Sequence, residues 1–265
     1  MNRRQISAIE LREEIEMYDR FADVYDRMMS ETPYDIWFQR LTAYLERRGK
    51  TSGHLCELGC GTGEMAGRFA DAGFEVTGID LSPDMLALAA EKKKDGQDIL
   101  YINQDMTDFS LHKPADVVLC ICDSINYLLE EDELQGLFGC VRAVLPEDGI
   151  FVFDTKTEYC FEEILGNEIR VEDEEDYTVF WDNAYDPETK INEYMLTMFM
   201  REPGSGKYER WDECHRQRAY SLEKIREMLR GAGFELRDCF GEDMEAPPGA
   251  KDERIYFTAQ PCNGN

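Results

Sequence analysis

Three carboxylates and three glycines have the types and the spacing that could do chemistry. Glu57 stands directly before a glycine turn, Gly59, Gly61 and Gly63, inside the run "HLCELGCGTG". A strand-turn-helix with glycines at the turn gathers backbone N–H groups and a helix N-terminus around a small anionic or polar ligand. Gly59 and Gly61 permit positive φ and close ligand approach, and Gly63 lets the helix start tight against the strand. The dinucleotide fingerprint is G-x-G-x-x-G; here the spacing is G-x-G-x-G, and no Gly-Lys-Ser/Thr follows. Glu57 would oppose a bound phosphate and suit a ligand carrying positive charge; alternatively it accepts hydrogen bonds from turn amides. Asp80 closes the next apolar segment, where a carboxylate accepts both hydroxyls of a ribose. Asp105 stands in "NQDM", where it can take an exocyclic amino group while Met106 packs on a ring.

These residues need a scaffold that lines them up along one edge. Between residues 54 and 155, short apolar runs alternate with helix-like stretches. "HLCEL", "EVTGID", "DILYINQDM", "ADVVLCICD" and "GIFVFDTK" read as strands; "GEMAGRFADAG", "SPDMLALAAEKKK" and "EDELQGLFGCVRAVL" read as helices. Ser82 suits an N-cap and Pro83 the first helical position. Such alternation implies right-handed crossovers and a parallel sheet covered on both faces. From about Tyr177 to Tyr220 the pattern becomes three antiparallel strands joined by "DPETK" and "EPGSGK". "SLEKIREMLRGAG" restores helix, and "FELRDCF" and "ERIYFTAQ" complete the main sheet as strands six and seven. The acidic run "EIRVEDEEDY" reads as a solvated edge. Residues 1–50 read as two amphipathic helices laid over the core, residues 51–156 and 219–262 as the core, and 157–218 as an inserted helix and β cap.

Composition narrows the class. Hydrophobic residues make up 43% of the 265 and aromatic residues 11%, enough for a packed core. The longest apolar runs are too short to span a bilayer, and the charged start "MNRRQISAIELREE" leaves no signal-peptide core. The expectation is a cytoplasmic chain without a membrane partner, present as monomer or homodimer. Nine cysteines without a CxxC pair or Cys/His spacing read as small buried side chains in a reducing compartment, with no metal site. A formal charge of −27 repels phosphate backbones, which makes a nucleic-acid partner an unfavoured reading.

Taken together, "ELGCGTG", "GIDLSPDML" and "NQDM" resemble the class I S-adenosylmethionine-dependent methyltransferases, closely over residues 54–155 and more loosely in the closing strands. The resemblance implies a Rossmann-like α/β fold with a seven-stranded, mostly parallel sheet, helices on both faces, an N-terminal helical lid and an antiparallel β insertion. It implies S-adenosyl-L-methionine as cofactor and S-adenosyl-L-homocysteine as product. Glu57 and Gly59 to Gly63, with Cys60 among them, would wrap the methionine part. Asp80 and the adjacent Leu81 would hold the ribose side, and Asp105 with Met106 the adenine. Ile121 to Ser124, with Cys122, would supply contacts near the sulfonium. Tyr18, Tyr25, Tyr34 and Trp37 of the lid are candidates for cofactor or acceptor contact.

Methyl transfer needs an aligned acceptor, a dry site and, for a protonated acceptor, a base. After the fourth strand stands "CDSINYL". The Asn/Asp-Pro-Pro-aromatic motif of nucleobase and protein-glutamine N-methyltransferases is missing there. The segment looks like that of small-molecule methyltransferases, including sugar N,N-dimethyltransferases, and Tyr127 takes the place where those carry a histidine. Tyr127 either positions the acceptor or packs in the following helix. Strand alternation puts Trp211, Glu213, His215 and Gln217 on one face of the insertion and Arg216, Arg218 and Tyr220 on the other. His215 is the candidate base, and Arg216 and Arg218 would favour an anionic acceptor if their face looks inward. The reading is direct methyl transfer to N or O of a small molecule. A methyltransferase acting on tRNA or protein, or a non-catalytic S-adenosylmethionine-binding protein, stands as the alternative.

Overall fold

A seven-stranded sheet forms the centre of the computed structural model, which describes residues 26, 28–29, 32–175, 177–201 and 206–262. Its strands are β1 (Gly53–Leu58), β2 (Phe74–Asp80), β3 (Ile99–Asn103), β4 (Val117–Cys120), β5 (Ile150–Lys156), β10 (Phe234–Phe240) and β11 (Arg254–Pro261). They lie in the order β10-β11-β5-β4-β1-β2-β3. β1 to β5 are parallel, and β11 runs antiparallel between β5 and β10. The Val and Phe runs of β4 and β5 are buried on both faces, as covered parallel strands require. The chain walks outward from β1 to β3, then returns to β4 on the other side of β1. The crevice at this reversal, above the carboxyl ends of β1 and β4, is where such sheets bind ligands.

Helices α1 (Tyr34–Arg47), α2 (Glu64–Asp71), α3 (Pro83–Lys92), α4 (Glu131–Val144) and α5 (Leu222–Gly231) cover the sheet. One core half joins Leu134, Phe138 and Val141 of α4 and Ile225 and Leu229 of α5 to Phe151 and Phe153 of β5. The other joins Leu41 and Leu45 of α1 and Met65 and Phe69 of α2 to Ile150 and Val152 of the same strand. The period-2 alternation of β5 thus feeds both halves. Helix starts follow local chemistry. Ser82 accepts from the Met85 amide at 3.2 Å with Pro83 behind it, Ser221 accepts from Lys224, and Glu130 and Glu133 form a reciprocal cap.

The insertion between β5 and α5 departs from expectation in one strand. It holds a π-helical turn (Cys160–Leu165) and four antiparallel strands, β6 (Ile169–Asp173), β7 (Tyr177–Asp186), β8 (Ile191–Arg201) and β9 (Tyr208–Arg218). β6 is part of the acidic run expected to be only a solvated edge. It is exposed and it is an edge, yet it pairs with β7 from Ile169↔Asp182 to Asp173↔Thr178. Its charges hid the strand signal, and charge on an edge strand blocks further pairing. Val179, Leu196 and Met198 of the cap pack with Met85 of α3, which ties cap to core. The first expected lid helix, with Tyr18 and Tyr25, lies outside the described residues; the second is α1. Among the described residues no helix is long and apolar enough to cross a membrane.

Gly63 caps α2 at φ 78°, and a Cβ there would strike the Tyr101 hydroxyl and lie 3.1 Å from Ala89. Gly63→Ala should therefore lower unfolding free energy by about 1–3 kcal/mol in urea titration, from left-handed strain and overpacking together. Wild-type stability would show that α2 can start without a glycine.

Candidate active site

β1 ends in Glu57, and the turn behind it runs through three left-handed glycines, Gly59 at φ 65°, Gly61 at φ 50° and Gly63. A Cβ on Gly61 would meet nothing within 4 Å, whereas one on Gly59 would come 2.6 Å from the Ser124 Oγ. The turn is thus closed on the β4 side and open toward a small cavity. Glu57, Gly59, Cys60, Gly61, Thr62, Ile121, Cys122 and Tyr34 line it, and its free volume is about 30 Å³. That is room for an ammonium-sized group. Glu57 is buried there, and its Oε2 has no hydrogen-bond partner among the described residues. Burial pushes its carboxyl up to about 8, and the neighbouring carboxylates Asp80 and Glu64 push in the same direction. A buried carboxyl oxygen without a partner, on a residue that lines this cavity, fits a cationic group better than a phosphate.

Asp80 sits at the end of β2, its Oδ2 accepting from the Gly61 amide at 2.7 Å and its Oδ1 from the Ser82 amide at 2.9 Å. Burial raises its pKa while these amides oppose the rise. Leu81 beside it is 66% exposed, an apolar surface next to a carboxylate. Asn103 donates to the Asp80 and Leu81 carbonyls, which locks this corner. Asp105 lies at the carboxyl end of β3, exposed, with its Oδ1 held by the Thr107 amide and hydroxyl at 2.8 Å each. Met106 packs on the core half that contains Ile79 and Phe109. Asp105 and Met106 do not line the glycine-turn cavity.

Beyond β4 the backbone is strained. Cys122 and Asp123 are both left-handed, at φ 61° and 54°, a conformation that costs a non-glycine residue roughly 1–3 kcal/mol. A buried ionic node holds it. Arg254 Nη2 donates to Asp123 Oδ1 at 2.6 Å, and Arg254 Nη1 to Asp154 Oδ2. Lys156 pairs with Asp123 Oδ2 at 2.9 Å, Gln217 of β9 donates to the same oxygen, and Asp154 accepts the Asp123 amide. The two cations hold Asp123 down to about 2 despite its burial. Trp37 of α1 lies over Arg254, with the guanidinium 5.2 Å from its ring centre, and edge-on to Tyr34. Trp37 is therefore a wall of the node, with Tyr34 between it and the cavity.

The short 3-10 turn Ser124–Tyr127 follows. Asn126 is fully buried and bridges the Lys156 and Arg218 carbonyls, so core and cap are bolted at one side chain. Tyr127 is 38% exposed, and its hydroxyl lies 2.6 Å from that of Tyr194 on β8. His215 stacks on Tyr194, centroids 5.0 Å apart, meets Tyr127 edge-on at 6.0 Å, and bonds Glu213 through Nε2 at 3.1 Å. Burial raises the Glu213 carboxyl against the pull of that imidazole.

The cap face is now resolved. Glu213, His215 and Gln217 point inward with Trp211, while Arg216 points out toward Glu193 at 3.7 Å. Tyr220 leaves the cap and is buried in the core, donating to the Leu128 carbonyl. Arg216 and Tyr220 are thus excluded from the inner face, since strand alternation turns one away and the chain ends β9 before the other. Glu57, Gly59, Cys60, Gly61 and Cys122 come together around one cavity; Asp80 joins them through Gly61. Sequence reasoning missed Asp154, Lys156 and Arg254, and took Asp123 only as part of the Ile121–Ser124 stretch near the sulfonium. One acid just past β4 and one on the neighbouring β5 were the available signal, but their shared cation comes a hundred residues after the second. Tyr25 lies outside the described residues.

Comparison with known proteins agrees with this fold. A methyltransferase domain model matches residues 55–149. The chain is 37% identical over 246 residues to a candidate methyltransferase of Geobacillus sp. (strain WCH70), covering 92% of this chain and 99% of that one. A solved S-adenosylmethionine-dependent methyltransferase from Clostridium acetobutylicum ATCC 824 superposes with a TM-score of 0.83 at 25% identity, over 93% and 99% of the two chains. A dTDP-3-amino-3,6-dideoxy-alpha-D-glucopyranose N,N-dimethyltransferase of Streptomyces fradiae is 33% identical over 114 residues, 43% of this chain and 44% of its own. The chain belongs to the S-adenosylmethionine-dependent methyltransferases.

Two outcomes test the node. Arg254→Met leaves Asp123 and Asp154 buried without their cation and should cost on the order of 3–5 kcal/mol in chemical denaturation; a cost below 1 kcal/mol would make the node incidental. Asp123 has a folded pKa below its unfolded value, so it adds stability above about pH 4 that is lost as pH falls toward 2. Asp123→Asn should flatten the acid limb of the stability–pH curve in that window, and an unchanged limb would contradict the assignment.

Proposed function

We propose that this enzyme transfers the methyl group of S-adenosylmethionine to a nitrogen or oxygen of a small molecule held between the core and the cap. The cofactor supplies an electrophilic methyl on a cationic sulfonium. The observation that carries the reading is the turn after β4. Its Cys122 lines the glycine-turn cavity, and its Tyr127 is hydrogen-bonded to Tyr194, which lines another cavity between the cap sheet and the end of β5. A short stretch of strained chain therefore separates the two places that donor and acceptor would occupy.

In this reading Glu57 takes the ammonium of the methionine part, and Gly59, Cys60, Gly61 and Gly63 wrap it. Asp80 holds the ribose with its remaining lone pairs, Leu81 flanks it, and Asp105 and Met106 lie toward the adenine end. The cavity is smaller than the cofactor, so Tyr34 acts as a lid that withdraws for entry. Asp26 pairs with Lys92 at 2.8 Å and also takes the Thr62 hydroxyl, contacts that latch it over the turn. Trp37 supports Tyr34 edge-on. Tyr127 orients the acceptor through its hydroxyl. His215, stacked on Tyr194 and bound to Glu213, positions that hydroxyl pair. The family resemblance of Tyr127's position to the histidine of sugar N-methyltransferases supports this assignment, and the net charge of −27 disfavours a nucleic-acid acceptor.

Calorimetry should show S-adenosylhomocysteine binding and little affinity for NAD; the reverse result sinks the reading. Asp80→Ala should weaken that binding by about 1.5–3 kcal/mol, the worth of a charged hydrogen bond. Because Glu57 is protonated below about pH 8 when the cavity is free, ligand binding should release a proton near pH 7, and affinity should rise toward pH 8 and then level. Titrations in two buffers of different ionisation heat read this proton, and Glu57→Gln should abolish it. Binding without proton release would remove Glu57 from the ammonium site. Tyr127→Phe should lower turnover, with cofactor affinity intact, on an acceptor found by a screen of amines, amino sugars and carboxylates.

A further inference from the structure

A second cavity, about 320 Å³, is walled by the cap sheet and the end of β5. Lys156, Arg170, Glu172, Trp181, Asn183 and Tyr194 supply its chemistry. Cap register builds the wall. Arg170 of β6 sits directly opposite Trp181 of β7, and Asn183 of β7 directly opposite Tyr194 of β8. Directly opposed residues share a face, and residues two apart on β7 share it too, so guanidinium, indole and phenol stand side by side. The Trp181 and Tyr194 ring centres are 5.9 Å apart at an angle of 32°, an open aromatic wedge.

The charges of this wall are not equivalent. Lys156 is committed to Asp123 and Gln217, and Glu172 accepts the Tyr177 hydroxyl. Arg170 donates to the Ile164 carbonyl, and among the described residues no carboxylate pairs with it. Acidic side chains outnumber basic ones 56 to 29 in this chain, so partners for an arginine are abundant. A guanidinium left without one beside a cavity keeps the remaining donors of its planar fork for an anion.

We propose that the cap cavity takes the methyl acceptor as an organic anion, with its ring or flat body in the Trp181–Tyr194 wedge and a carboxylate or phosphate on Arg170. This rests on the methyltransferase reading above. The reacting end lies at the Tyr127–Tyr194 hydroxyl pair, one cross-strand row from the Arg170–Trp181 row, so the anionic group sits away from the methylated atom. Asn183, in the same row as Tyr194, lies beside the reacting end. The aromatic wedge admits either a planar ring or the apolar face of a sugar, while Arg170 selects for charge.

The test titrates the full chain with benzoate, phenyl phosphate and the matched neutral probe benzyl alcohol, following calorimetric heat and tryptophan fluorescence. The wild type should bind benzoate or phenyl phosphate at least tenfold more tightly than benzyl alcohol, and the better of the two anions tells carboxylate from phosphate. Arg170→Ala should erase the preference, and Arg170→Lys should keep part of it. Arg170 is exposed on an edge strand, and circular dichroism of both variants checks that they fold. Equal affinity for the neutral probe, no binding of any probe, or a preference that survives in Arg170→Ala overturns the proposal. S-adenosylhomocysteine titrated into the same samples separates the failures. Normal affinity with no anion preference defeats this proposal alone, whereas absent affinity in the wild type defeats the methyltransferase reading.

Discussion

Arg254 is the group on which the site depends. A guanidinium enclosed by protein requires carboxylates, and Asp123 and Asp154 are the two that reach it. Satisfying it draws the end of β4 toward the end of β5 and turns Cys122 and Asp123 into the left-handed region. That turn closes the Gly59 side of the glycine loop through Ser124 and sends Tyr127 toward the cap. Lys156 and Gln217 add a cation and an amide on the other Asp123 oxygen, so the cap's inner face is registered against the core by the same charge. Removing Arg254 leaves Asp154 buried without a cation and Asp123 with Lys156 alone. The node therefore specifies one arrangement of two elements that could otherwise slide.

Two cavities with opposite electrostatic character meet at this turn. The glycine side is acidic: Glu57 is held near neutrality by burial and waits for a positive partner. The cap side presents Arg170 beside an aromatic wedge. A donor that is cationic and an acceptor that is anionic would each find a complementary wall, and the turn between them carries the hydroxyl pair. The overall charge of −27 argues against a polyanionic partner but does not prevent a small anion from meeting a local guanidinium, because Coulomb interactions of exposed charges decay within about 10 Å at moderate salt.

Much of the core was legible from local patterning. Strand and helix alternation, the Ser82–Pro83 cap and the Gly59, Gly61, Gly63 spacing each depend on neighbours a few residues apart, and the sheet has the expected seven strands. The β6 strand was not legible because its exposed, charged side chains carry no burial period. The ionic node was not legible because Asp123, Asp154 and Arg254 come from three separate strand ends. Strand alternation correctly grouped Glu213, His215 and Gln217, yet it could not say that this face turns inward. Only packing against Met85 and Asp123 decides that. One oxygen of Asp105 is held in its own turn by Thr107, a local contact that its place in "NQDM" did not reveal.

The most direct measurement is a crystal structure of the protein with S-adenosylhomocysteine bound. The account predicts its ammonium on the free oxygen of Glu57, its ribose on Asp80, and its sulfur facing the Cys122–Asp123 turn, with that turn still left-handed and Arg254 still between Asp123 and Asp154. A ligand seated elsewhere, or a turn that relaxes to ordinary φ values when the ligand binds, would contradict it.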